Sequence, residues 1–350
     1  MKNVLLVYVP FCTPASPPYS ITNLYSFLKS NCKDNISVLD LNLEFHKIKF
    51  ASFSAYYHDF NKWDNYNEVT DQYRKLTVKT YSENNKRVVK GEKPELFEEL
   101  LGGIIDRKPE IVAFSIVYSS QAFYAFALVT ELTKRGIKCV LGGPAVNDKL
   151  KAVADKVLEN EIELLSYIQN MEVSHDRLNF NYALDYSVFD LKDYFTPYPV
   201  IPLKATTTCY YKGCTFCNHF KKSPYMEYSL EMIEETVVKS NGKYFFLIDD
   251  MIPLSMLLKI SKVFLGLNIK WCCQLRPTKE LTLDVLQELH ASGLILIIWG
   301  VESGNDRVLK LMNKGTNKED IQRVLAASHN GGIKNIVYII FGFPTETKEE

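Results

Sequence analysis

A chain of 350 residues with 47% hydrophobic and 23% charged side chains has a globular composition, which excludes disorder as its main state and sets an expectation of two domains. Lys plus Arg equals Asp plus Glu at 41 each, so no global field draws the protein to nucleic acid or to an acidic membrane surface. The longest apolar runs, such as Leu294–Trp299 and Ile336–Ile340, fall far short of the roughly 18 residues that span a bilayer, which excludes a transmembrane helix.

In chain order, Val4–Val9 runs into Pro10 with no small-residue cleavage site, so the start reads as a first strand rather than a signal peptide, and a cytoplasmic protein is expected. Ile36–Leu41, Ile111–Val117 and Lys138–Leu141 read as further strands, with helices predicted at Tyr19–Ser30 and Gln121–Arg135. Strands alternating with helices imply a parallel α/β sheet, and residues 1–170 resemble a Rossmann-like nucleotide or cofactor domain. No G-x-G-x-x-G follows the first strand, which disfavours ordinary dinucleotide binding. Residues 46–93 are polar, aromatic and poor in Gly and Pro, the composition of a helical insertion, and 171–202, carrying Pro197, Pro199 and Pro202, reads as a linker.

After Pro202 the rhythm restarts. Leu203–Thr208, Tyr244–Ile248, Ile269–Gln274, Leu294–Gly300 and Ile336–Phe341 are predicted strands, separated by helices at Leu230–Ser240, Ser255–Leu265, Leu281–Ala291 and Lys318–Asn330. Five βα strands in succession over 203–350 imply part of a (βα)6 TIM-like barrel that stops after strand 5.

Eight cysteines without a secretion signal are expected as reduced thiols, and only Cys209, Cys214 and Cys217 have ligand spacing, C-x4-C-x2-C. Three soft thiolates on one loop suit an iron–sulfur cluster or zinc. Zinc needs a fourth ligand, for which His219 is nearest, and would make a non-catalytic α/β scaffold. A cluster on three cysteines instead keeps one iron open to a substrate or cofactor, at the barrel end where such folds place chemistry. An electron carrier would fill all four sites, and no fourth cysteine has suitable spacing. Cys272 and Cys273 alternate along a strand and read as packing residues.

The loop Cys209-Tyr210-Tyr211-Lys212-Gly213-Cys214-Thr215-Phe216-Cys217 resembles the cluster loop of radical S-adenosylmethionine (SAM) enzymes, specifically the subgroup with an N-terminal cobalamin-binding domain. The spacing departs by one residue from the general C-x3-C-x2-C. The resemblance implies a 4Fe-4S cluster on Cys209, Cys214 and Cys217, with SAM contacted by Phe216, Asp249, Asp250, Glu302, Ser303 and Glu346, the last in Gly342-Phe343-Pro344-Thr345-Glu346-Thr347, where Thr345 replaces a frequent Gly. Arg276 and Gln274 are further candidates for SAM or substrate contact. In the N-terminal domain the resemblance places cobalamin near Ser115, Ser119–Gln121, Gly142 and Gly143. The D-x-H-x-x-G motif that carries a cobalt-ligating histidine is absent, and neither His46 nor His58 has its context.

The implied activity is reductive cleavage of SAM and, with cobalamin, methyl transfer to an unactivated centre; the alternative is radical rearrangement or oxidation without cobalamin. The implied partners are a small-molecule or peptide substrate and an electron donor such as flavodoxin or ferredoxin. No catalytic side chain beyond the cofactor ligands is singled out.

Overall fold

A computed structural model describes residues 1–59, 63–217 and 224–350. The chain divides into two units, 1–199 and 200–350. Residues 171–199, within the stretch read as a linker, group with the first unit. Tyr182, Leu184, Tyr186, Tyr194 and Phe195 are buried, and the Tyr194 hydroxyl donates to Asp40 at 3.0 Å. These aromatic side chains anchor the segment.

The first unit holds strands β1 (Asn3–Tyr8), β2 (Asn35–Asp40), β3 (Ile111–Ser115), β4 (Lys138–Gly142) and β5 (Lys156–Val157) in the order β2-β1-β3-β4-β5, with every pairing parallel. The interiors of β1 and β3 are buried apolar runs rather than alternating ones, as a parallel sheet covered on both faces requires. The helices are α1 (Tyr19–Asn31), α2 (Leu41–Lys49), α3 (Ala51–His58), α4 (Tyr66–Val89), α5 (Phe97–Ile105), α6 (Gln121–Lys134), α7 (Asp148–Lys151) and α8 (Glu161–Gln169). Helices α2 to α4 realise the predicted insertion. In this doubly wound order the strand sequence reverses direction between β1 and β3, the place where open α/β sheets bind ligands.

The second unit is a parallel sheet in consecutive order, β6 (Val200–Leu203), β7 (Tyr244–Leu247), β8 (Lys270–Leu275), β9 (Leu294–Glu302) and β10 (Lys334–Ile339). Between the strands run α9 (Leu230–Ser240), α10 (Leu254–Phe264), α11 (Leu283–Ala291), α12 (Asp306–Leu311) and α13 (Lys318–Asn330). Side-chain oxygens of Ser229, Thr282, Asn305 and Asn317 cap the starts of α9, α11, α12 and α13, each a residue type suited to accept the orphan amides there.

Strand β6 lies earlier than the predicted Leu203–Thr208 because Pro202 is tolerated inside it: β6 is an edge strand, so the missing amide breaks no ladder in the sheet interior. Because all five strands are parallel, the segments following β6, β7, β8, β9 and β10 gather at one edge of the sheet. That edge receives the cysteine loop, Asp249-Asp250, Arg276, Glu302 and Glu346.

Candidate functional site

The approach to the cysteine loop is fixed first. Asp249, just beyond β7, is 1% exposed and accepts from the Ala205 amide (2.9 Å), the Thr206 amide (2.6 Å) and the Thr206 hydroxyl (2.7 Å). Burial pushes its carboxyl above the usual range, and these donors pull it back down. Asp249 thus ties its oxygens to the chain entering the cysteine loop, and its neighbour Asp250 is exposed at the strand end.

Cys209, Cys214 and Cys217 are each half-buried. Burial pushes the Cys214 thiol up; Lys314 and Arg276 pull it down, and Cys209 and Cys217 push it up again, so all four groups lie within electrostatic reach of it. Among the described residues no three His, Cys, Asp or Glu side chains close around a common metal position. His219, the fourth ligand of the zinc reading, lies outside the described residues.

The turn after α12 grips this loop. Thr215 donates from its amide to Met312 O (2.9 Å) and from its hydroxyl to Leu311 O (3.0 Å). The Tyr211 hydroxyl donates to Asn313 O (2.7 Å), and Asn313 Nδ2 donates to Gly213 O (2.8 Å). The Arg276 guanidinium stacks 3.7 Å from the Tyr211 ring centroid and donates to Lys314 O at 2.8 Å. Gly315 closes the turn at φ +69°, where a Cβ would lie 2.6 Å from the Tyr211 hydroxyl oxygen and 2.9 Å from Arg276. Only glycine satisfies both the torsion and the space.

Lys314 reaches inward from the same turn. Its Nζ is 2.9 Å from Glu302 Oε1, with the two side chains 9% and 11% exposed, and 5.6 Å from the Phe216 ring centroid. Glu302 ends β9 at φ +71°, a left-handed conformation that costs a non-glycine residue about 1–2 kcal/mol. The register of β9 against β10 slips at this point, pairing Ile339 with Glu302. Ser303 is buried, and its hydroxyl accepts from the Asn305 amide. Glu346 accepts from the Phe343 amide at 2.9 Å, and Thr345, the residue that replaces a frequent Gly, takes φ +72°, held by Arg307.

The donor set suits a cluster. Three thiols share a short loop beside two cations, and Arg276 Nε is a buried donor with no hydrogen-bond partner. An unpaired buried donor is costly unless an acceptor arrives, and thiolates or cluster sulfides supply one. Cys272 and Cys273 behave as packing residues: Cys273 is fully buried and the Cys272 thiol donates to Phe245 O within the sheet. Gln274 is half-buried on β8. The grip of residues 311–315 was not legible beforehand, since it joins segments about 100 positions apart; the available signal was the sequence Asn313-Lys314-Gly315 between two helices.

In the first unit, Ser115, Gly142 and Gly143 line one cavity of about 250 Å³ together with the start of α1 and residues Leu158–Glu161. The Ser115 hydroxyl donates to that of Ser20 at 2.7 Å. Gly143 has φ +112°, and a Cβ there would lie 2.3 Å from Ile116 O, so the close passage of the two strand ends requires glycine. Gln121 is fully buried and pins the loops after β1 and β3, accepting from the Val117 and Tyr118 amides and donating to Val9 O.

Both histidines considered beside this unit are already engaged. His46 is fully buried between the hydroxyls of Tyr73 (2.5 Å from Nδ1) and Tyr81 (2.7 Å from Nε2). Tyr81 donates its own proton to Cys12 O, so the ring proton sits on Nε2 and Nδ1 accepts from Tyr73. His58 Nε2 meets Tyr194 O at 3.1 Å. No helix among the described residues is long and apolar enough to cross a membrane.

Residues 203–350 match the family model of the Radical SAM superfamily. Over 162 residues the chain is 28% identical to the bacteriochlorophyllide d C-12(1)-methyltransferase of Chlorobaculum tepidum, covering 43% of this chain and 35% of that protein. Over 65 residues it is 32% identical to a putative methylthiotransferase of Methanocaldococcus jannaschii, covering 19% and 14%. In fold the chain is similar to the cobalamin-dependent SAM radical enzyme OxsB, solved with aqua-cobalamin and SAM: TM-score 0.64 at 15% identity, over 97% of this chain and 49% of OxsB. The matches thus span about half the length of OxsB and about a third or less of the two sequence relatives.

Proposed function

We propose, from a chain whose residues 203–350 match the Radical SAM superfamily model, that the protein cleaves SAM reductively and uses cobalamin to methylate an unactivated centre. The observation that carries the reading is the convergence, at one edge of a parallel sheet, of the three-cysteine loop, the buried Glu302 and the cations Arg276 and Lys314.

Cys209, Cys214 and Cys217 would hold the cluster. A 4Fe-4S cluster on three thiolates supplies an open iron for SAM and the electron that splits it into methionine and a 5′-deoxyadenosyl radical. The chain's part is positioning. Asp249 fixes the approach to the loop, and Phe216, Asp250, Glu302, Ser303 and Glu346 offer one aromatic face and several acceptors to the adenine, amino and ribose groups. Arg276 Nε supplies a buried donor to an anionic or sulfur acceptor.

In the first unit the cavity at Ser115, Gly142 and Gly143 would take part of a corrinoid, whose chemistry is to carry a methyl group. With His46 and His58 both engaged within the fold, neither is offered to cobalt. Similarity to a C-methyltransferase and the chain-wide fold of a cobalamin-dependent enzyme support methyl transfer over rearrangement or oxidation. The substrate would be a small molecule or peptide, the electrons would come from a flavodoxin or ferredoxin, and the setting would be the cytoplasm.

The test is turnover of SAM by anaerobically reconstituted protein with dithionite. Formation of 5′-deoxyadenosine and methionine, lost in Cys214→Ala together with the cluster, is the expected result. A Cys214→Ala protein that kept the same iron and still cleaved SAM would sink the assignment.

A further inference from the structure

Lys314 stands at the junction of two parts of the site that are about 90 residues apart in sequence. Its ammonium pairs with Glu302 at 2.9 Å and faces the ring of Phe216, inside the cysteine loop, while its carbonyl accepts from Arg276, which stacks on Tyr211 of the same loop. The preceding residues, Leu311 to Asn313, make four further hydrogen bonds to Tyr211, Gly213 and Thr215. Among the described residues Glu302 makes no side-chain hydrogen bond to the loop; its connection runs through Lys314.

A buried ion pair is worth little against an apolar replacement, but removing one partner leaves an uncompensated charge in a low-dielectric interior. Such a pair fixes geometry, and here the geometry it fixes is shared. The Lys314 backbone is part of the clasp on the cysteine loop, and its side chain sets where the Glu302 carboxylate points. We propose that Lys314 is a positioning residue that couples the order of the cysteine loop to the placement of the Glu302 carboxylate, so that each stabilises the other. On the reading of Glu302 as a SAM contact, the coupling is reciprocal: SAM on Glu302 tightens the loop, and an ordered loop strengthens SAM binding by the same factor.

The experiment perturbs Glu302 and reads the loop in the metal-free protein, where no cofactor is needed. The amide of Thr215, bonded to Met312 O, reports the clasp by hydrogen–deuterium exchange. Glu302→Gln keeps the side-chain shape and removes the charge. The coupling predicts that it speeds exchange across residues 211–216 by about tenfold, the scale of interaction within one network, while the amides of α10 keep their protection. Lys314→Met should do the same, Lys314→Arg should restore slow exchange, and the Glu302→Gln/Lys314→Met pair should be less than additive.

Unchanged exchange at 211–216 in Glu302→Gln, with Lys314→Arg no closer to wild type than Lys314→Met, overturns the inference. If Lys314→Met fails to fold, Glu302→Gln alone decides. The reading of the site is judged separately by reconstituted wild-type protein: with iron present, SAM affinity should fall about tenfold in Lys314→Met at unchanged iron content and recover in Lys314→Arg. Equal SAM affinity in all three overturns the reciprocal part, whereas absence of iron from wild type overturns the cluster and leaves the exchange result standing.

Discussion

Two buried groups in the first unit titrate in opposite directions, and together they give the protein a pH signature at the scale of single residues. Burial raises the Asp40 carboxyl to about 7 against donors from Leu43, Tyr194 and Asn42, and burial lowers the His46 imidazole to about 3. Asp40 keeps its proton in the folded state where the unfolded chain has lost it. Its contribution to stability is full below about pH 4 and is lost as pH rises toward 7. His46 works the other way, since the unfolded chain binds the extra proton between about pH 3 and 6.5, so stability grows with pH across that window. The two slopes offset each other.

Asp40→Asn keeps an acceptor for the Leu43 amide and removes only the Asp40 slope. Urea unfolding between pH 4 and 7 should show the variant gaining stability relative to wild type as pH rises, by up to about 4 kcal/mol for a carboxyl raised to about 7. A difference between the two proteins that stayed constant across that range would contradict the assignment.

At the scale of elements, the strand ends decide what the first unit can hold. Gly142 and Gly143 follow one another at the end of β4, yet their demands differ: a Cβ on Gly143 meets Ile116 O at 2.3 Å with φ +112°, whereas one on Gly142 meets Leu158 O at 3.3 Å with an ordinary torsion. Gly143→Ala should cost about 1–3 kcal/mol in unfolding and weaken hydroxocobalamin binding, with Gly142→Ala costing less in both. Equal penalties for the two, measured by thermal unfolding and corrinoid titration, would show that the close passage at Ile116 is not what the glycine serves.

The same scale shows what could be read in advance. The βα rhythm was legible because short apolar β-branched runs are punctuated by capping residues and glycines, and most strand and helix positions agree to within a few residues. Pro202 misplaced β6, because a proline reads as a breaker until the strand is known to lie at an edge. The two-residue β5 and six-residue α12 are too short for a periodic signal. Within the site, the cysteine spacing and Glu302-Ser303 were visible as local patterns. The commitment of Asp249 to Ala205 and Thr206, and the clasp around Lys314, were not, since each depends on which strand ends become neighbours.

On the scale of the whole molecule, two units of five parallel strands each gather different side chains at their strand ends. The first offers a small, mostly apolar cavity in which Leu24, Val117, Leu158 and Leu164 stand beside Ser115 and Gly143; the second gathers thiols, cations and carboxylates. Both in one chain suit the proposed reaction, which draws on a one-electron cleavage and a methyl carrier. It is tested most directly by anaerobic purification and reconstitution with iron, sulfide and hydroxocobalamin, followed by gel filtration and quantification of iron, sulfide, zinc and cobalt. The expected result is about four irons and four sulfides per chain, with corrinoid retained. Iron without corrinoid would contradict the cobalamin half of the account, and zinc without iron would contradict it entirely.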